Sequence, residues 1–352
     1  MVNHNSLKPR VQLAKLKPGD TVSVISPSAG LPGRFPHVFE LGLDRLQNEM
    51  KLNTKEYPCT RKLNATPEER AGDVMAAFCD PETTGVFAAI GGCDQILVLN
   101  HLNAEKIAAN PKPFFGFSDN TNIHIFLGNL GIPSYYGGHV MNQFAFPKSM
   151  WPLSKEFAQH ALFDSGSFKG VASETFCEVD LPWSNSKVGE MDPILTPTPP
   201  LIWNGRGKAQ GVLWGGCFEI IATHLMVRRW LKTPDFYQGM ILVLETSEDM
   251  PSAYSCWSTL TALGELGMLS RFAGMLVGRP KAWSSERQLP PPEREPYRTS
   301  VNNTIVEAFR RYNISAPVVL NLDFGHTEPQ IILPLGNSTL IDCDAQVIEF
   351  CY

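Results

Sequence analysis

The sequence predicts an α/β protein built on parallel strands separated by helices, and three observations carry that prediction. Residues 21–25, 86–90 and 240–244 are short apolar or β-branched runs without alternation, as strands buried on both faces read. Segments of helical spacing stand between such runs. Several runs end in glycine-rich or polar turns, the strand ends at which α/β proteins build ligand sites. With 352 residues, 43% of them hydrophobic, the chain can bury a sizeable core, and its length suggests two domains.

In chain order, Lys17-Pro18-Gly19-Asp20 is a turn, and residues 21–25 follow as a buried strand. Ser26-Pro27-Ser28-Ala29-Gly30 breaks that strand into a loop. Val38, Leu41, Leu43, Leu46 and Met50 then recur at roughly helical spacing, which completes a β-loop-α opening. Thr66-Pro67-Glu68-Glu69 is a helix start: a threonine cap, proline in the first turn and acids at the positive dipole end, with the helix running to about Cys79. Residues 86–90 form a strand ending in Gly91-Gly92-Cys93-Asp94-Gln95. Phe114-Phe115-Gly116-Phe117-Ser118 is a further apolar run, ending at a serine where a helical segment, 120–130, begins. Gly131 ends that helix, 132–136 is a short strand, and the N-terminal α/β domain is expected to span 1–165.

Residues 166–204, with several prolines, serines and Trp183, have no clean period and read as a linker carrying a substrate loop. The C-terminal domain, 205–352, is expected to be smaller and mixed α/β. It contains strands at 212–216, 240–244, 272–278 and 317–322, helices at 218–230, 254–269 and 301–312, and a hairpin-like return at 331–336. The proline-rich stretch 281–296 is expected to be a surface insertion without chemistry.

A net charge of -5, a pI near 5.9 and the absence of long like-charge runs point away from a nucleic-acid polymer and towards small-molecule chemistry. The eight cysteines are scattered without a Cys-x-x-Cys pair, so no zinc or thioredoxin-like site is indicated, and they are expected to be reduced thiols. Residues 1–20 contain no apolar core of signal-peptide length, and no later run approaches a membrane span. No membrane partner and cytoplasmic residence are the expectations; a processed, secreted native form would contradict them.

Ser118 sits where a strand passes into a helix, the arrangement that lifts a nucleophile above a sheet edge. Taken alone, the motif reads better as a helix cap supplied by Ser118 or Asp119. Glu245 follows one apolar strand and His326 another, completing a possible nucleophile, base and orienting acid. Each alone has a plain structural alternative: a helix cap or surface ion pair for Glu245, a hydrogen-bonded loop histidine for His326. His124 and His139 compete for the base, although His124 falls within a predicted helix. Glycine pairs such as Gly91-Gly92 also merely relieve crowding at tight turns.

Taken together, Ser26-Pro27-Ser28, Ala89-Ile90-Gly91-Gly92, Gly116-Phe117-Ser118-Asp119-Asn120-Thr121, Gly215-Gly216, Leu244-Glu245 and Gly325-His326-Thr327 resemble the LD-carboxypeptidase family of serine peptidases. That family includes the microcin C immunity (MccF-like) proteins, and the resemblance runs in order from about residue 12 to 340. It implies a flavodoxin- or glutaminase-like N-terminal domain bearing nucleophile Ser118 and a C-terminal domain bearing triad acid Glu245 and base His326. It further implies an oxyanion hole from the Gly92 and Asp119 N–H groups, substrate contacts at Gly91, Trp183 and Gly216, and neither metal nor cofactor. A homodimer is the expected assembly. Where the family often shows Gly-Gly-Tyr-Gly and Gly-Gly-Asn, this chain has Gly91-Gly92-Cys93-Asp94 and Gly215-Gly216-Cys217. Asn120 in place of the second glycine of Gly-x-Ser-x-Gly argues against an ordinary esterase or lipase.

Two substrates follow from the two branches of that family: a peptidyl- or aminoacyl-nucleotide linkage, or the terminal D-alanine of a murein tetrapeptide. The tryptophan-bearing connection around Trp183 and Trp203 resembles the MccF-like loop, and an indole can stack on a purine. Both tryptophans could instead pack the domain junction. A catalytically silent ligand-binding protein of the same fold is a third reading, because fold alone does not prove activity.

Overall fold

A computed structural model describes residues 11–352; the first ten residues of the 1–20 stretch discussed above lie outside the described residues. The N-terminal half runs β1 (Thr21–Ile25), α1 (Pro36–Asn48), β2 (Asn53–Glu56), α2 (Pro67–Cys79), β3 (Gly85–Ala88), α3 (Ala104–Ala109), β4 (Phe114–Gly116), α4 (Thr121–Asn129), β5 (Ser134–Tyr136) and α5 (Pro152–Phe163). Then come β6 (Ser167–Lys169), β7 (Thr175–Phe176), β8 (Thr196–Pro197), β9 (Ile202–Asn204), β10 (Lys208–Cys217), α6 (Phe218–Val227), β11 (Ile241–Glu245) and α7 (Ala253–Glu265). The remaining elements are β12 (Gly274–Gly278), α8 (Pro291–Arg310), β13 (Val318–Leu322), β14 (Leu333–Leu335), β15 (Ser338–Asp342) and β16 (Val347–Cys351).

The main sheet has the order β2-β1-β3-β4-β5-β14-β10-β11-β12-β13-β9. β2 through β5 are mutually parallel, as are β10 through β13. β14 joins the two groups, antiparallel to β5 over three residue pairs and touching β10 at Leu335 against Leu213. β15 and β16 continue from the start of β10 to β6.

Successive strand residues turn to opposite faces, and here both faces are covered. Val22, Val24, Phe87, Phe115, Ile241, Val243, Leu276 and Val319 enter one apolar core that continues beneath both halves, covered by α1 and α5. Their neighbours face two separate cores on the other side: Ile25, Val86, Ala88 and Phe114 under α2 and α4, and Leu242, Leu244, Met275, Val277 and Val318 under α7 and α8. This double burial is why these strands are mostly apolar on both faces, with buried Ser23 in β1 and Asn321 in β13 among the exceptions. The α2 start has the predicted cap in full: Thr66 Oγ1 accepts from the Glu69 N–H, and the Glu69 carboxylate accepts from the Thr66 N–H.

Two expectations need revision. The 166–204 stretch contributes β6 to β9, with β9 closing the far edge of the sheet against β13, because strands of two or three residues leave no readable period. Residues 281–296 are not a plain insertion: α8 begins at Pro291, with prolines in its first turn where no N–H is needed, and Pro296 lies inside it. Among the described residues no helix is long and apolar enough to cross a membrane, and the cysteines are free thiols.

Candidate active site

Ser118 lies one residue beyond β4, after Phe117, and adopts φ 60°, a left-handed conformation costing a non-glycine residue on the order of 1–3 kcal/mol. A single 3-10 turn, Ser118–Asn120, then leads into α4. The strained turn is held by its neighbours. The Ser118 N–H donates to the Tyr136 hydroxyl at 3.2 Å, and Thr121 Oγ1 donates to the Ser118 carbonyl at 2.7 Å. Gly91 passes so close that a Cβ there would lie 3.0 Å from Ser118 Cβ, which is the physical demand for glycine.

The capping reading of this stretch does not hold. α4 has no side-chain cap, and the Asp119 carboxylate accepts instead from Ser28 Oγ, the Gln95 N–H and Asn122 Nδ2. Asp119 therefore ties the serine turn to the loops after β1 and β3. Burial pushes its carboxyl pKa up, against these hydrogen bonds.

Ser118 Oγ is turned to His326 Nε2 at 3.0 Å, and His326 Nδ1 lies 2.6 Å from Glu245 Oε2. Glu245 ends β11 and is fully buried; His326 stands in the turn after β13, its side chain 8% exposed. The second Glu245 oxygen accepts from the Tyr136 hydroxyl at 2.6 Å, so one phenol links the carboxylate to the serine backbone. Two glycines leave room for Glu245: a Cβ on Gly325, at φ 98°, would meet Oε2 at 2.5 Å, and one on Gly278 would meet its Cβ at 2.9 Å. Burial alone would lower the His326 pKa; the Glu245 and Glu248 carboxylates outweigh it and raise the value to about 9.

The other candidate histidines are structural. His124 joins Ser134 Oγ to the Gly116 carbonyl, and His139 Nε2 accepts from the Phe117 N–H. Burial pushes them down to about 4 and about 3, so both are neutral imidazoles near pH 7.

Ser118 and His326 open onto a cleft of about 640 Å³, within the range of small-molecule sites. Gly91, Gly92 and Trp183 line it. Among the described residues the Gly92 and Asp119 N–H groups have no hydrogen-bond acceptor, leaving both free beside the serine turn. Trp183 meets Phe35 edge-on at 5.7 Å between ring centres and is partly buried. Gly216 lies outside the cleft wall: at φ 146° it lets β10 approach Thr121 and Tyr136, where a Cβ would come within 2.6 Å of Thr121 Oγ1. Trp203, on β9, packs against the shared core.

Tyr136, Glu248 and Lys281 are parts of the site that the sequence reading passed over. Tyr136 carries the same signal as Glu245, a polar group ending an apolar strand; Lys281 begins the stretch 281–296, which the sequence alone marks as free of chemistry. It is buried in the cleft wall and pairs with Asp180 at 2.5 Å. Among the described residues no group of three or more His, Cys, Asp or Glu side chains is arranged to hold a metal ion.

Residues 22–137 match the LD-carboxypeptidase N-terminal domain, and residues 210–341 match the LD-carboxypeptidase C-terminal domain. The chain is 24% identical over 342 residues to the microcin C7 self-immunity protein MccF of Escherichia coli, covering 96% of this chain and 94% of that one. It is 25% identical over 324 residues to a Bacillus subtilis (strain 168) protein named "Probable murein peptide carboxypeptidase", covering 91% and 88%. Among solved structures, an MccF-like protein from Streptococcus pneumoniae in complex with AMP superposes with a TM-score of 0.81 at 26% identity, over 95% of this chain and 99% of that chain. With both halves matched in order and the fold shared nearly end to end, the chain belongs to the LD-carboxypeptidase family.

Proposed function

We propose that the protein is a serine hydrolase that cleaves the acyl linkage of a peptidyl- or aminoacyl-nucleotide, detoxifying it, with Ser118 as nucleophile, His326 as base and Glu245 as orienting acid. The observation that carries this reading is the unbroken line from Ser118 Oγ through both His326 nitrogens to a buried Glu245, opening on a cleft of ligand size. Neutral His326 takes the Ser118 proton at Nε2 while Oγ bonds to the acyl carbon. The oxyanion is received by the Gly92 and Asp119 N–H groups, and each such donor is worth about 10²–10³ in rate. The Nε2 proton then passes to the departing group as its bond to carbon breaks. Water attacks the acyl ester, His326 takes the water's proton, and the serine oxygen recovers it as the acid leaves.

The nucleotide preference rests on Trp183 in the cleft wall and on the AMP bound by the Streptococcus pneumoniae relative. A murein LD-carboxypeptidase is the second reading, favoured by the Bacillus subtilis relative's name. Ser118→Ala is expected to abolish hydrolysis while leaving fold and ligand binding in place, and full turnover by that variant would sink the assignment. Turnover of an aminoacyl-sulfamoyl adenosine against an L,D-tetrapeptide separates the two substrates.

A further inference from the structure

His326 Nε2 has two neighbours within hydrogen-bond distance: Ser118 Oγ at 3.0 Å and Glu248 Oε2 at 3.1 Å. The two carboxylates on this ring differ. Glu245, on Nδ1, is enclosed and pinned by Tyr136; Glu248, on the loop after β11, is 54% exposed. With Nδ1–H donating to Glu245, a neutral ring presents a lone pair at Nε2, and a carboxylate oxygen facing a lone pair is repelled. The Glu248 contact therefore selects the doubly protonated ring, which cannot accept the serine proton. Other charged or titratable groups around the imidazole are Asp249 on the same loop, Lys281 after β12, Glu328 after β13 and His139 after β5. Lys281 is paired with Asp180, and among the described residues His326 is the ion-pair partner of Glu248.

We propose that Glu248 is a latch on His326, and that the ammonium group on the acyl part of the substrate releases it by taking the carboxylate over. This rests on the hydrolytic reading above and narrows it to acyl groups bearing a free amine beside the scissile carbonyl. The geometry suits such a group: Glu248 Oε2 and Ser118 Oγ both touch one nitrogen, so they are at most two hydrogen-bond lengths apart, and an α-ammonium is two bonds from the carbonyl carbon. When the ammonium pairs with Glu248, the Nε2 proton of His326 leaves to the open cleft, and the exposed lone pair faces Ser118. Glu248 is a positioning residue: it acts through His326 and chooses the substrate that sets the base free.

The experiment compares the wild-type protein with Glu248→Gln and Glu248→Asp on an aminoacyl-sulfamoyl adenosine and its N-acetyl counterpart, across pH. The wild type should favour the free amine. In Glu248→Gln the acid limb of kcat/KM should move down by about one pH unit or more, as removal of a neighbouring charge does. For each pH unit the limb moves, the N-acetyl compound should be turned over about tenfold faster near pH 7, while the free-amine compound slows and the selectivity collapses. Glu248→Asp should keep part of it. Wild-type selectivity with an unmoved acid limb in Glu248→Gln would overturn the proposal, as would equal losses on both compounds. A histidine-labelled NMR titration of Ser118→Ala, with and without Glu248→Gln, reads the His326 pKa without turnover. An unchanged pKa there refutes the latch; a lowered pKa there, with a wild-type protein that hydrolyses neither compound, refutes the hydrolytic reading instead.

Discussion

Replacing Tyr136 by phenylalanine removes one oxygen and should cost both stability and rate. The ring is buried and its apolar contacts persist in the variant, so the loss is confined to the hydroxyl. That hydroxyl donates to Glu245 Oε1 at 2.6 Å and accepts from the Ser118 N–H at 3.2 Å. A hydrogen bond to a charged group contributes about 1.5–3 kcal/mol, and an orphaned buried N–H costs about 1–3 kcal/mol. With partial relaxation, Tyr136→Phe should lose about 3 kcal/mol in urea denaturation. Catalysis should fall as well, because Glu245 is no longer held against Nδ1 and the left-handed turn at Ser118 loses a tether; a misplacement near 1 Å costs about 10² in rate. The acid limb of kcat/KM should also move down, since a carboxylate no longer held on Nδ1 raises the imidazole pKa less. Urea denaturation, kcat/KM and the pH profile read all three on one preparation. A variant with the wild-type midpoint and the wild-type kcat/KM would refute the reasoning.

Three further outcomes are expected. Gly325→Ala places a Cβ 2.5 Å from Glu245 Oε2 at φ 98°, so Glu245 must move off His326; activity should fall at least about 100-fold, by assay beside a circular-dichroism check of fold. Trp183→Ala should raise KM for a nucleotide substrate by about 10–100-fold with kcat little changed, and leave an L,D-tetrapeptide unaffected. Glu328 lines the cleft with Oε2 unpartnered, and burial raises its pKa to about 8. The folded state then binds this proton more tightly than the unfolded chain, so the contribution of Glu328 is fully present below its unfolded pKa, near 4.5, and is lost as pH rises towards about 8. Glu328→Gln should flatten the decline of stability between those values, and thermal denaturation of both proteins across that window checks it.

The sequence displayed more of this site than its single motifs promised. Double-sided burial is written directly into residues 21–25 and 241–245, and the Thr66–Glu69 box marks a helix start to the residue. Ser118, Glu245 and His326 each announce themselves as polar groups where apolar strands stop. What stayed hidden depends on contacts between distant segments. Tyr136 looks like one more core aromatic until β11 arrives, 109 residues later, to give its hydroxyl a carboxylate. Gly216 reads as part of a motif, yet its reason is the approach of β10 to Thr121. The short strands β6 to β9 have no internal pattern because their pairing partners define them.

The three residues of β14 have a consequence for the order of events during synthesis. Ser118, its turn and its helix lie in the first half of the chain, but the histidine facing the serine is 208 residues further on. β14, which seats itself between β5 and β10, comes later still. The serine is therefore synthesised long before Glu245 and His326, and β14, made after both of its neighbours, has to pair with β5 and β10 in mid-sheet. Such long-range pairing is slow to form. Until those later segments exist, Ser118 Oγ lacks the imidazole it faces in the complete chain.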